Sequence, residues 1–258
     1  MKRLLLATLV LITQFSQAQT YLTIIGTQHN PTDNVNSQSI YEQLNKIKPD
    51  VVLMEQDSST MNDDGEFLIN SNELEPTAVK RLEKDYSVIV RPFDYKNRNK
   101  FYNDNQIFTK ENRFFHSMDS VYSNKLMDSL SYCVYQNMIE INTILNTLNS
   151  NADLKELNMI TYQQVSKLRQ ELNYTGFLGI CYRVKYMQQW AKFCKQDGDF
   201  WTFRNNTMVD NILKYCDQFK GKKIVVLTGA MHKYFLSDAI EKKQKANHII
   251  LKDFWEYN

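Results

Sequence analysis

Short apolar runs rich in Val, Ile and Leu recur towards both ends of the chain: Tyr21 to Ile25, Val51 to Met54, Ser87 to Val90, Ile224 to Leu227 and His248 to Leu251. Each is continuous rather than alternating and is followed by a turn or helix signal, the pattern of strands buried on both faces. Between the first three runs, residues 37–47 predict a helix closed by Lys48-Pro49, and residues 74–84 predict a second helix with Pro76 in its first turn and a charged face. Strand and helix in alternation imply an α/β class with a mainly parallel central sheet.

From Asn97 to Phe219 the period changes. Phe114, Met118, Val121, Leu126, Leu130, Val134, Met138, Ile141, Leu145 and Leu148 fall mostly three or four residues apart, as on one buried helical face. Further helices are predicted over 154–173, 177–195 and 200–219, with breaks at Gly176 and at Gln196-Asp197-Gly198-Asp199. Residues 19–258 therefore read as one α/β domain with a helical cap inserted at about 97–219, and no internal repeat is visible.

The first residues change where that domain is expected to work. Met1-Lys2-Arg3, the apolar run Leu4 to Ile12 and the polar stretch ending Ser16-Gln17-Ala18 have the three-part layout of a signal peptide, with cleavage expected after Ala18. The run is shorter than the roughly 20 apolar residues of a membrane helix, and no later segment approaches that length. Cleavage predicts a soluble product in the periplasm or the medium, with no membrane anchor.

Without Lys2 and Arg3, basic and acidic residues balance at 29 each, so nothing favours nucleic acid as a partner. The 15 Tyr and 14 Phe argue for a packed core rather than disorder. Four cysteines, Cys133, Cys181, Cys194 and Cys216, allow three pairings in an oxidising compartment. They lie in apolar or aromatic surroundings with no C-x-x-C spacing, which predicts structural roles, bridged or buried, rather than redox or metal chemistry.

Candidate chemistry comes from two similar heptapeptides. Thr23-Ile24-Ile25-Gly26-Thr27-Gln28-His29 and Val226-Leu227-Thr228-Gly229-Ala230-Met231-His232 each give a buried strand, a glycine and a histidine three residues later. Both histidines are thereby expected at the carboxyl edge of the sheet, where ligands of open α/β folds bind. The second strand ends in Glu55-Gln56-Asp57 and the third in Asp94, at the same edge. His29, Glu55 and His232 form a set able to hold a divalent ion such as Zn, Mn or Co with a position open for water, or to act without metal as acid and base. Asp57 and Asp94 are candidates to orient that set from behind.

Arg204 shares a helical face with Met208, Ile212, Tyr215 and Phe219, and a charge on a packing face needs a partner. A carboxylate at the sheet edge or an anionic or carbonyl group of a substrate would suit its fork, and Asn205 beside it is placed to orient a ligand or cap the helix. His116 reads as structural or exposed, His248 as a strand-end residue, and Glu241 to Lys245 as a solvated helix end. There is no G-x-S-x-G elbow, no H-E-x-x-H and no dinucleotide fingerprint, which argues against a serine hydrolase.

Taken in order, Gly26-Thr27-Gln28-His29, Leu53-Met54-Glu55-Gln56-Asp57, Arg204-Asn205-Asn206-Thr207-Met208 and Gly229-Ala230-Met231-His232 resemble the motifs of the TraB/Tiki family, which is related more distantly to erythromycin esterases and ChaN-like haem-binding proteins. The resemblance implies an α/β core with a helical insertion and a site built from His29, Glu55 and His232, with Arg204-Asn205 on the family's Arg-Asn pair. Phe203 departs from it, since many members carry an acidic residue before that arginine. In the Tiki branch the resemblance implies metal-dependent peptidase activity, and in the esterase branch hydrolysis of a lactone. An exported, metal-dependent hydrolase of peptide, ester or lactone bonds, working through His29, Glu55 and His232, is the expected function. The alternatives are a binding protein that holds haem, a metal or another ligand on the same histidines, and a scaffold that interacts through its aromatic cap.

Overall fold

The computed structural model describes residues 19–60 and 73–257; the expected signal peptide lies outside the described residues. The first half of the sheet is laid down by β1 (Thr20–Thr27), α1 (Ser37–Ile47), β2 (Val51–Met54), α2 (Leu74–Asp85) and β3 (Ile89–Pro92). The start of α1 is fixed by Asn36, whose side chain accepts from the amides of Gln38 and Ser39 while Ser39 Oγ returns a bond to the Asn36 amide. Its end is fixed by Lys48, which turns left-handed just before Pro49.

The insertion follows as α3 (Arg98–Asp104), α4 (Ile107–Ser123), α5 (Ser129–Asn151), α6 (Ile160–Glu171), α7 (Phe177–Arg183) and α8 (Ala191–Gln218). Then β4 (Lys223–Gly229), α9 (Ala230–Lys243) and β5 (Ile249–Leu251) complete the sheet, whose order is β3-β2-β4-β1-β5 with every pairing parallel. No helix among the described residues is long and apolar enough to cross a membrane.

Both faces of the sheet are covered, which is why the central strands β2 and β4 are largely apolar. On one face Ile25, Val52, Met54 and Val225 pack with α1, α2, α5 and α6; on the other Leu22, Val51, Leu53 and Val226 pack with α8 and α9. The insertion has a core of its own, in which Phe114, Met118, Met138, Phe177 and Phe193 are buried together.

Three expectations change within that insertion. The apolar stripe is not one helix, because the chain turns at Asn124–Asp128, with Lys125 left-handed and Asp128 capping α5; the changed phase leaves Leu126 and Leu130 exposed rather than in the core. Gly176 does not interrupt the chain's helical course, since it lies in a π turn that joins α6 to α7. Nor does Gln196-Asp197-Gly198-Asp199 break the next helix; α8 runs through it, with Lys195 paired to Asp199 one turn on at 2.6 Å and a Cβ on Gly198 meeting Tyr174 at 3.3 Å. The real break is the short 3-10 stretch Lys185–Trp190.

Cys133 is exposed, against the expectation that all four cysteines are bridged or buried, because its turn of α5 faces outward; Cys181, Cys194 and Cys216 are buried. His116 is exposed, and so is His248, which takes a left-handed conformation just before β5.

Candidate functional site

The parallel register of β1 and β4 sets Gly26 beside Thr228 and Thr27 beside Gly229. The two glycines are one residue out of step, and because side-chain direction alternates along a strand they face opposite sides of the sheet. A Cβ on Gly26 would lie 2.9 Å from Cα of Ala230, so this glycine lets α9 cross close over β1. The amide edge of Gly26 is held by buried Asn158, which accepts from its N–H at 2.7 Å, donates to its carbonyl at 2.8 Å and also accepts a hydrogen bond from Lys233 Nζ at 2.9 Å.

A Cβ on Gly229 would instead meet His29 Nε2 at 3.2 Å, Glu55 Oε2 at 3.6 Å and His232 Cδ2 at 3.7 Å. The absent side chain of Gly229 is therefore the space around which the two histidines and the glutamate gather. Their surroundings differ sharply. His232 is buried in the first turn of α9, whereas His29 follows the end of β1 with its side chain 69% exposed.

Behind this group lies Arg204, buried on α8. Its Nε and Nη2 donate to Oδ1 and Oδ2 of Asp94, both at 2.8 Å; Nη2 also donates to Glu55 Oε1 at 2.6 Å, and Nη1 lies 3.2 Å from His232 Nε2. His232 Nδ1 is 2.7 Å from Asn205 Oδ1, an acceptor, so the ring proton sits on Nδ1 and the Nε2 lone pair accepts from the guanidinium. Trp201 stacks on the imidazole ring, 4.4 Å between centroids. The second oxygen of Glu55 accepts from Thr228 Oγ1 and from the Gly229 amide, both at 2.7 Å.

Burial is the largest influence on Glu55 and by itself would raise its carboxyl; His232, Arg204, His29 and the Gly229 amide outweigh it and hold the group well below the usual carboxylate range. His232 is pushed down to about 4, first by burial and further by Arg204, against the pull of Glu55 and Asp94. It is neutral at neutral pH, so the cation that then holds Glu55 ionised is Arg204. His29 is raised above its ordinary value, chiefly by the Glu75 carboxylate, whose Oε1 lies 3.6 Å from Nδ1.

In front of these residues opens a cavity of about 470 Å³, whose walls include His29, Glu55, Asp57, Glu75, Arg98 and Gly229. Asp57 is largely occupied by backbone, its two oxygens accepting from Ser59 N at 2.9 Å and Asn97 N at 2.6 Å. Arg204 and Asn205, expected to hold a substrate, stand behind the cavity rather than on its wall: the nitrogens of Arg204 go to Asp94, Glu55 and His232, and the amide of Asn205 goes to His232 and the Trp201 carbonyl. Arg98 is the guanidinium at the front, tied to Asp94 Oδ2 at 2.9 Å.

As placed, the donor set does not suit a divalent ion. His232 Nε2 faces a guanidinium, and both oxygens of Glu55 already accept hydrogen bonds. Among the described residues no group of three His, Cys, Asp and Glu side chains is arranged to hold a metal.

Sequence reasoning missed Arg98, Glu75, Thr228 and Trp201. Arg98 had a readable signal, four residues after Asp94 at a helix start, and Glu75 opens α2 beside Pro76. Trp201 follows from the helical spacing that brings it beside Arg204 and Asn205, once α8 is known to be unbroken there. Compared with models of known protein families, with curated proteins and with solved structures, the chain matches none of them.

Proposed function

We propose that the chain is an exported hydrolase of TraB/Tiki type that cleaves a peptide, ester or lactone bond at the carboxyl edge of its sheet, using side chains alone to activate water. The observation that carries this reading is the division of labour between the two histidines. His232 is neutral, buried and hydrogen-bonded at both nitrogens, while His29 stands at the cavity with a carboxylate beside it.

In this mechanism His29 takes a proton from water, the resulting hydroxide attacks the carbonyl carbon, and Arg98 faces the oxygen on which negative charge develops. The imidazolium, steadied by Glu75, returns the proton to the departing nitrogen or oxygen as the scissile bond breaks. Glu55, Arg204, Asp94 and His232 keep the wall and the Gly229 turn in place, and Arg98 brings the charges of the group into balance.

A screen of peptide, ester and lactone substrates with the full chain, His29→Ala and Arg98→Ala tests the proposal. Turnover that survives chelation of divalent ions and falls by about 10²-fold or more in both variants is the expected result. Equal rates in wild type and His29→Ala overturn it. A haem absorbance band without turnover replaces it with the binding-protein reading.

A further inference from the structure

The insertion contains a pair of thiols that the proposed hydrolysis does not use. Cys181 on α7 and Cys194 in the first turn of α8 are both buried, and their Sγ atoms lie 3.5 Å apart. They sit in the core of the insertion with Phe114, Phe177 and Phe193, on either side of the 3-10 stretch Lys185–Trp190. The other two cysteines are elsewhere. Cys133 is exposed on α5, and Cys216 packs against the sheet with Met208, Ile212 and Ile224.

We propose that Cys181 and Cys194 form a disulfide when the chain folds in an oxidising compartment, while Cys133 and Cys216 stay as thiols. Two helices already in contact bring the sulfurs to van der Waals distance, and closing them to the roughly 2.05 Å of a bond needs a movement of about 1.5 Å, within the reach of side-chain rotation. The electrons go to an external disulfide of the glutathione or oxidoreductase class. A thiolate of the pair attacks that disulfide and expels one thiolate; the second cysteine attacks the mixed disulfide and expels the other. The chain loses two protons and two electrons, and the oxidant becomes two thiols.

The bond would close a short loop between α7 and α8 and so hold the first turn of the helix that carries Trp201, Arg204 and Asn205. Its presence in the cell rests on the exported location proposed above, because a reducing cytosol keeps both groups as thiols.

The test equilibrates the purified full chain with reduced and oxidised glutathione, alkylates free thiols under denaturing conditions and maps the peptides by mass spectrometry. The expected product is lighter by two hydrogen atoms, links the Cys181 and Cys194 peptides and carries label on Cys133 and Cys216. Reduction of that product lowers its melting temperature by about 5–10 °C. Labelling of both Cys181 and Cys194 in fully oxidising glutathione, or a bridge to Cys133 or Cys216, overturns the proposal. The wild-type map decides the pairing without reliance on a variant that folds. The same map on protein made in cells with its natural leader separates the two readings: a bridge formed in glutathione but absent in cells supports the pairing and rejects the oxidising location.

Discussion

Asp94 grips Arg204 through two parallel hydrogen bonds of 2.8 Å, using both carboxylate oxygens against Nε and Nη2. This fork orients the guanidinium so that its remaining edge meets Glu55 and His232. Charge balances across the group, with Arg204 and Arg98 against Glu55 and Asp94 and with His232 neutral. A single side chain therefore joins β2, β3, α8 and α9 at the point where the sheet meets the cavity.

Replacing Arg204 takes the guanidinium from Glu55 and leaves Asp94 to Arg98 alone. Arg204→Met is expected to destabilise the fold by about 3 kcal/mol, because Glu55, whose side chain is 6% exposed, loses its paired cation. Arg204→Lys keeps the charge and loses the fork, so its effect is smaller. Urea unfolding measures both, and a loss below about 1 kcal/mol in Arg204→Met would falsify the role given to this network.

The two buried titrating groups bias stability in the same direction as pH falls. His232 is held at about 4 in the fold against 6.5 when exposed, so the unfolded chain takes up its proton first and stability declines between pH 6.5 and 4, by roughly 3 kcal/mol. Glu55, with a lowered folded value, contributes stability above its ordinary 4.5 that is lost as pH drops further. In His232→Gln the upper part of this decline should vanish. An unchanged slope from pH 6.5 to 4 rejects the neutral, buried state of His232.

The two motif glycines should respond differently to a methyl group. Gly26→Ala drives Cβ to 2.9 Å from the α9 backbone, which cannot yield cheaply, and a loss of about 1–3 kcal/mol is expected. In Gly229→Ala the nearest atom, at 3.2 Å, belongs to the exposed His29 ring, which can swing away. Stability should hold while turnover drops. Thermal melts set beside rates separate the cases, and equal destabilisation of both variants contradicts the opposite-face assignment.

Asn158 is 1% exposed and serves both polar groups of Gly26 as well as Lys233. Asn158→Leu removes the side-chain partner of both polar groups of Gly26, while Lys233 keeps the carbonyl of residue 158 and Asp253, and should cost about 1–3 kcal/mol. Amide hydrogen exchange provides the local readout. Protection at Gly26 should fall more than at Val225 in the adjoining strand, and uniform loss across the sheet would count against a specific anchor.

The strands were legible because parallel strands buried on both faces are largely apolar, and α1 was legible because Lys48-Pro49 marks its end. The phase of the insertion was not. The five-residue step from Val121 to Leu126 is the one lapse in helical spacing and marks the turn, but a single lapse is easily absorbed in a long stripe, and the turn depends on Lys125 adopting a left-handed conformation that residue type does not announce. Gly198 misled in the opposite sense, since its lack of a side chain serves contact with Tyr174 rather than a break. At the site, matching heptapeptides located both histidines but concealed that a one-residue shift in register gives their glycines opposite faces. Arg204's need for a partner was visible; that its partners would be protein groups rather than a substrate follows only from three dimensions.

The position of β4 also dictates when the molecule can finish. It pairs with β1 on one side and β2 on the other, and Thr27 reaches a hydrogen-bonding partner 201 residues away. During synthesis, the β1 and β2 edges that β4 will later occupy lack their permanent neighbour until residue 229 has emerged, while the whole insertion is already available to collapse. A chain in that state offers open strand edges to other chains, which predicts slow acquisition of the native state and a need for protection from self-association until synthesis is complete.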